Sequence, residues 1–153
     1  MNTGVKRILL VEDSEQDVEL TLAALKEAHL ANEVDVARDG AEALDYLYRR
    51  EAFADRPDEL PVFVLLDLKM PKLDGIDVLR QMKGDPLLKN VPVVILTSSR
   101  EEQDLVQSYK LGVNAYVVKP VDFQQFTDSV RRLGFFWAVL NEAPNSSASP
   151  PEG

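Results

Sequence analysis

The sequence predicts a doubly wound α/β domain, a five-stranded parallel sheet with helices on both faces, and three observations carry that prediction. Short apolar runs rich in β-branched residues recur along the chain: Ile8-Leu9-Leu10-Val11, Val62 to Leu66, Val93 to Leu96 and Tyr116-Val117-Val118. They lack strict alternation, as strands covered on both faces do. Between them lie stretches of helical period, and such an order of βα units pairs its strands in parallel through right-handed crossovers. The length, 153 residues, suits one domain of this kind and leaves no room for a separate output domain beside it.

Taken in order, the first run leads to a helix start at Ser14 with Asp17 three residues on. A weaker strand, Val34-Asp35-Val36-Ala37, alternates as an edge strand does, and Asp39 with Glu42 opens the second helix. Ala52 to Pro61 carries two prolines and four charged residues, so a long loop is expected before the third strand. Gly84 before Asp85-Pro86 stops the third helix, Ser99 with Glu102 starts the fourth, Gly112 after Lys110-Leu111 ends it, and Asp122 with Gln125 starts the fifth. At each start a short polar side chain can accept an N–H of the first turn that has no partner within the helix.

The fifth helix is expected to outrun its sheet. Phe126, Val130, Leu133, Trp137 and Leu140 succeed one another at spacings of 4, 3, 4 and 3, a single stripe that Gly134 weakens by ~1 kcal/mol. Phe135 to Leu140 is apolar nearly all round. Covering it at ~25 cal/mol per Å² favours a partner, so a homodimer through this stripe, Phe136 included, and through the fourth and fifth helices and fifth strand is expected. The alternative is that the segment folds back over its own domain. Residues 141–153 hold three Pro, three Ser and two Asn, which reads as a disordered tail and bounds the domain at 1–140.

Charge and composition narrow the function. With 17 basic and 26 acidic residues the net charge is −9, which repels phosphate backbones and anionic lipid, so neither nucleic acid nor membrane is an expected partner. There is no cysteine, hence no disulfide, thiolate nucleophile or thiolate metal site. The longest apolar run, six residues from Phe135, falls far short of the ~18 that span a bilayer, and the N-terminus lacks a secretory core, so a cytoplasmic protein is expected. His29, the one histidine, reads as a surface cation at a helix end.

The polar residues that end the apolar runs are more informative than the runs themselves. The first run leads into Glu12-Asp13, the third into Asp67, the fourth into Thr97-Ser98 and the fifth into Lys119-Pro120. In a parallel sheet all these ends share one edge, where open α/β folds bind ligands. If the spatial order is 2-1-3-4-5, Asp67 stands at the centre, with the acids on one side and Thr97 and Lys119 on the other. Gathered carboxylates repel one another, and a hard cation with oxygen ligands relieves them; three acids and water suit Mg²⁺. Lys119 then suits an incoming anion. Such a site accepts a phosphoryl group on Asp67, with Thr97 hydrogen-bonding one of its oxygens. Singly, Asp13 reads equally as a helix cap, Asp67 as a turn residue and Lys119 as a surface lysine; their conjunction on four strands favours the site.

At these residues the chain resembles the receiver domain of two-component response regulators, over roughly residues 6–133. The likeness rests on Val11-Glu12-Asp13, Leu65-Leu66-Asp67-Leu68-Lys69-Met70-Pro71 with Asp74-Gly75, Val94-Ile95-Leu96-Thr97-Ser98, and Tyr116-Val117-Val118-Lys119-Pro120. It implies a flavodoxin-like fold and phosphoryl transfer to Asp67 from a phosphohistidine of a sensor kinase. It further implies Mg²⁺ on Glu12, Asp13, Asp67 and the backbone carbonyl of Lys69. Thr97 and Tyr116 would be the switch pair, Ser98 and Lys119 would bind the phosphate, and Lys119-Pro120 would be cis. Glu12 replaces the commoner Asp and lengthens the arm to the metal, while Lys69 and Ser99 occupy positions that tune hydrolysis in the family. The Glu-Asp pair, the long loop, Val91-Pro92-Val93-Val94, Thr97-Ser98-Ser99 and the Phe-Trp extension resemble the stand-alone regulators partnered with bacterial phytochromes.

Rival readings meet specific obstacles. An aspartyl-phosphate phosphatase of the haloacid dehalogenase type needs a second acid two residues past the nucleophile, where Lys69 stands. A flavodoxin needs hydroxyls and glycines around the FMN phosphate, where this chain has Glu12-Asp13-Ser14-Glu15. A binding module with a relic site would not need every one of the expected residues.

Overall fold

A computed structural model of the chain describes residues 7–27, 32–57, 59–68 and 74–131, the side chains of 123 and 129–131 excepted. The elements run β1 (Ile8–Val11), α1 (Glu15–Glu27), β2 (Val34–Ala37), α2 (Gly40–Tyr48), a 3₁₀ turn (Glu51–Phe53), β3 (Phe63–Asp67), α3 (Gly75–Lys83), β4 (Val93–Thr97), α4 (Arg100–Ser108), β5 (Ala115–Val118) and α5 (Phe123–Arg131). The strands form one parallel sheet in the order β2-β1-β3-β4-β5, the doubly wound, flavodoxin-like architecture.

The period of two along each strand divides the core. Leu9, Val11, Val64, Leu66, Val93 and Ile95 face α2, α3 and α4 and pack with Leu44, Leu47, Leu79, Met82 and Val106. Their neighbours Ile8, Leu10, Phe63, Leu65, Val94 and Leu96 face α1 and α5 and pack with Val18, Leu25 and Phe126. Every residue of β1, β3 and β4 is buried, which is why these runs do not alternate in polarity. Each large apolar side chain so covered contributes roughly 1.5–3 kcal/mol.

The capping signals act as their chemistry requires. Asp39, Asp74 and Ser99 accept the N–H groups of Glu42, Asp77 and Glu102 at 2.8, 3.1 and 3.2 Å, and Asp122 accepts that of Gln125 at 2.8 Å. Three local features differ from the sequence reading. The loop from Ala52 begins inside a 3₁₀ turn, Glu51–Phe53, where the rings of Phe53 and Tyr46 pack in a T shape with centroids 5.3 Å apart. Helix α4 ends at Ser108, earlier than Gly112, because Lys110 takes the first left-handed conformation at φ 52 and Gly112 the second at φ 77. Strands β3 and β4 each run one residue further, so Asp67 and Thr97 are strand residues rather than loop residues.

The expected helical extension with Leu133, Phe136, Trp137 and Leu140, the Val130 side chain, the tail 141–153 and His29 lie outside the described residues. Among the described residues no helix is long and apolar enough to cross a membrane.

Candidate functional site: an acidic pocket at the strand ends

Asp67 ends the central strand and is buried there, with 5% of its surface exposed. Its position depends on Gly75, the first residue of α3, which donates its N–H to the Leu68 carbonyl at 2.9 Å. A Cβ on Gly75 would stand 2.4 Å from the Asp67 carbonyl oxygen and 2.7 Å from the Leu68 Cα. The chain can double back this tightly only where no side chain intervenes.

Glu12 leaves β1 with its N–H on the Ala37 carbonyl at 3.0 Å. Its Oε2 accepts the Ser14 N–H at 3.2 Å, which turns Oε1 toward the neighbouring strand ends. Ser14 Oγ accepts the Asp17 N–H at 3.2 Å, the cap that α1 needs, and exposed Asp13 lies with the other acids. One carboxylate oxygen each from Glu12, Asp13 and Asp67 fall within 4.8 Å of one another. Lys69, whose carbonyl the family resemblance adds to this set, lies outside the described residues.

From the far side comes Lys119, on a cis Lys119-Pro120 peptide. Its Nζ stands 2.9 Å from Asp67 Oδ1, 3.0 Å from Glu12 Oε1 and 3.1 Å from Asp17 Oδ2. Thr97 on β4 is fully buried, and its Oγ1 has no hydrogen-bond partner among the described residues. Ser98 is exposed at the rim, and its N–H donates to Glu102 Oε1 at 2.8 Å. Tyr116 is half-buried against the α2–α4 face of the core, beside a cavity of about 220 Å³ that Val106, Leu111 and Val113 also line. Burial raises its phenol above the ordinary range.

The electrostatics match the crowding. Burial pushes the Asp67 carboxyl up; Lys119 pulls it back and the charges of Asp13 and Glu102 add to the rise. Glu12 is raised by burial and by Asp67, again against Lys119. For Lys119 burial works against the charged form, yet Asp67 and Glu12 outweigh it and hold the ammonium above its usual range. The pocket is therefore short of positive charge. Glu12 Oε1 is buried with no hydrogen-bond partner among the described residues, though it lies at ion-pair distance from Lys119. A buried carboxylate oxygen whose near partner is one shared ammonium, within reach of two more carboxylates, fits a hard, oxygen-preferring divalent cation.

Asp17 joins the pocket without having been expected there from the sequence, where its one signal was a place in a capping sequence. It stands in the first turn of α1, only a few residues along the chain from Glu12 and Asp13 at the end of β1, and that proximity was the available clue. Glu102 likewise showed only as a capping partner.

The family model of the response regulator receiver domain matches residues 8–131. The solved bacteriophytochrome response regulator AtBRR is 61% identical, with 90% of this chain and 99% of that chain covered and a TM-score of 0.85. For the bacteriophytochrome response regulator RtBRR the values are 57%, 94%, 86% and 0.86. Response regulator Rcp1 of Synechocystis sp. is 39% identical over 132 residues, 86% of this chain and 88% of Rcp1. A crystal structure of Rcp1 in its Mn²⁺-bound form matches with a TM-score of 0.69 over 86% of this chain and 94% of that one. With a family match over residues 8–131 and relatives covered along most of their length, the chain belongs to the response regulator receiver family, signalling proteins whose output depends on phosphorylation.

Proposed function

We propose that Asp67 accepts a phosphoryl group from a phosphohistidine of a sensor histidine kinase, of the phytochrome type given the relatives. The carrying observation is the placement of Asp67, buried at the centre of the strand ends between Lys119 at 2.9 Å and the Glu12–Asp13 pair. A carboxylate oxygen of Asp67 attacks phosphorus; the P–N bond breaks, and the imidazole leaves with the electron pair. Lys119 neutralises charge on the phosphoryl oxygens, and the unpartnered Thr97 hydroxyl supplies a hydrogen bond to one of them. Glu12, Asp13, Asp67 and the carbonyl of Lys69 would hold Mg²⁺, which offsets the negative charge of acceptor and phosphoryl group.

The only reaction in this reading is the protein's own phosphorylation and its reversal, so it is a switch with no metabolite substrate. The message leaves through protein contacts in the cytoplasm, not through nucleic acid or membrane, in keeping with the charge of −9. Thr97 and Tyr116 adjoin the face made by α4, β5 and α5, where Leu105, Tyr109 and Val118 are 48%, 41% and 44% exposed. That face supports a homodimer extended by the rest of the stripe, Val130 to Leu140; Phe126, expected from the sequence to belong to the interface, is instead fully buried against Phe63 in the protein's own core, because the first turns of α5 pack on the sheet. The test of the acceptor is intact mass after incubation with acetyl phosphate and Mg²⁺. A base-labile gain of about 80 Da, absent in Asp67→Asn and without metal, is expected. No gain, with acetyl phosphate or with a cognate kinase, leaves a binding module in its place.

A further inference from the structure

We infer that Asp17 is a positioning residue for phosphoryl transfer, acting through Lys119, an inference that rests on the reading of Asp67 as acceptor. The ammonium has three N–H groups and meets three carboxylates, Asp67 at 2.9 Å, Glu12 at 3.0 Å and Asp17 at 3.1 Å. These three partners do not have the same fate. Asp67 carries the phosphoryl group after transfer, and Glu12 belongs to the set of oxygens that a divalent cation would take. Asp17 belongs to neither.

Its bond to Lys119 is a hydrogen bond between the first turn of α1 and the end of β5, residues 102 apart in the chain. The Asp17 backbone is itself fixed by the Ser14 hydroxyl. The Glu12 contact, at 3.0 Å, is made by a member of the acid set that a cation would occupy. Through the whole cycle Asp17 is thus the constant anchor of the lysine. It holds Nζ where charge develops as the Asp67 oxygen bonds to phosphorus and the leaving group departs with its electron pair. A charged group fixed in advance at that point avoids reorganisation during the transfer.

An opposing effect is built in, since the Asp17 charge also repels an incoming phosphoryl dianion. The two effects differ in sign, so one experiment separates them. Phosphorylation by acetyl phosphate with Mg²⁺ is monitored by intact mass in wild type, Asp17→Ala, Lys119→Ala and the double variant, with incubations of hours to keep slow variants on scale. Asp17→Ala is expected to be about tenfold slower than wild type, the scale of one charge-assisted hydrogen bond. In the Lys119→Ala background, where only the repulsion is left, the same change is expected to bring no loss and a rate equal to or above that of Lys119→Ala alone. An equal loss in both backgrounds would assign Asp17 a merely structural role, and an unchanged or faster rate in Asp17→Ala would overturn the inference. If Asp17→Ala fails to fold by circular dichroism, Asp17→Asn, which keeps an acceptor oxygen, takes its place with a smaller loss and the same criterion. Wild type gaining no phosphoryl group would instead overturn the acceptor reading; wild-type phosphorylation at a rate Asp17→Ala shares would overturn only the role of Asp17.

Discussion

Adding one methyl group at Gly75 tests whether Asp67, the proposed acceptor, is held from behind. An ideal Cβ at this position lies 2.4 Å from the Asp67 carbonyl oxygen and 2.7 Å from the Leu68 Cα, both backbone atoms that cannot rotate out of the way. Either α3 retreats and the 2.9 Å bond from Gly75 N–H to the Leu68 carbonyl is lost, or the end of β3 moves. The first route costs about 1 kcal/mol for the bond, and overpacking against a fixed neighbour costs typically 1–3 kcal/mol. Against this, alanine gains at most ~1 kcal/mol over glycine at a helical position. The balance predicts that Gly75→Ala loses about 1–3 kcal/mol in urea unfolding. It also predicts slower phosphorylation by acetyl phosphate, because Asp67 moves relative to Lys119. Both measurements are needed: stability lost with an unchanged rate means the helix retreated, and stability equal to or above wild type refutes the close approach itself.

A second perturbation concerns the edge strand, where Arg7 Nε and Nη2 donate to both oxygens of Asp35 at 2.7 and 2.8 Å and Tyr46 donates its hydroxyl as well. Arg7→Ala should cost roughly 1–2 kcal/mol at pH 7 by urea unfolding. Burial opposes the Asp35 charge, but these partners hold its pKa below the ordinary value. Their contribution is therefore present above the unfolded pKa and lost as pH falls through the folded one, and the gap between variant and wild type should narrow in acid; a gap that persists there contradicts the assignment. Asp67 has the opposite sign, since its pKa is raised. Without metal Asp67→Asn should therefore melt above wild type at pH 7, with the difference closing below the unfolded carboxylate range, while Mg²⁺ at ten times its Kd should raise wild type by about 1.4 kcal/mol and the variant by less. Trp137→Glu addresses the dimer: sedimentation should show monomers, and a variant that stays dimeric removes the stripe from the interface.

The architecture was legible because burial on both faces of β1, β3 and β4 leaves an unmistakable mark, near-continuous aliphatic runs with a change of chemistry where each ends. The same change marked Glu12, Asp13, Asp67, Thr97 and Lys119 as candidates, and the strand order places their ends on one edge. Asp17 was not legible as part of the pocket. Its contact partner is 102 residues away, and nothing local records a bond across that distance. Gly75 was visible only as a motif glycine, for the sequence does not show that the segment after β3 returns against the Asp67 carbonyl. The early end of α4 was hidden for a different reason. Gly112 satisfies the stop rule, but Lys110 adopts the left-handed turn first, a tertiary choice over local propensity.

The strand order also explains why the site needs more acids than acceptor chemistry alone requires. The acids come from β1 and β3, which are neighbours, whereas the cation comes from β5, with β4 between. Neighbouring strands lie ~4.8 Å apart, so Lys119 must extend its flexible stem past the end of β4 to reach Asp67. A stem of that kind surrenders up to ~2 kcal/mol of rotamer entropy when fixed. One carboxylate that is itself the proposed phosphoryl acceptor is a poor anchor for such an arm. Glu12 and Asp17 supply further negative charge at its tip, one from the end of β1 and one from α1. With Asp13 and Asp67 they leave the pocket three charges negative around one ammonium when all are ionised. The need for a divalent cation follows from that arrangement: holding a distant lysine in place requires acids, and those acids must be neutralised before a phosphoryl dianion can approach, whereas the raised Asp67 carboxyl owes first to burial and only then to the charges of Asp13 and Glu102.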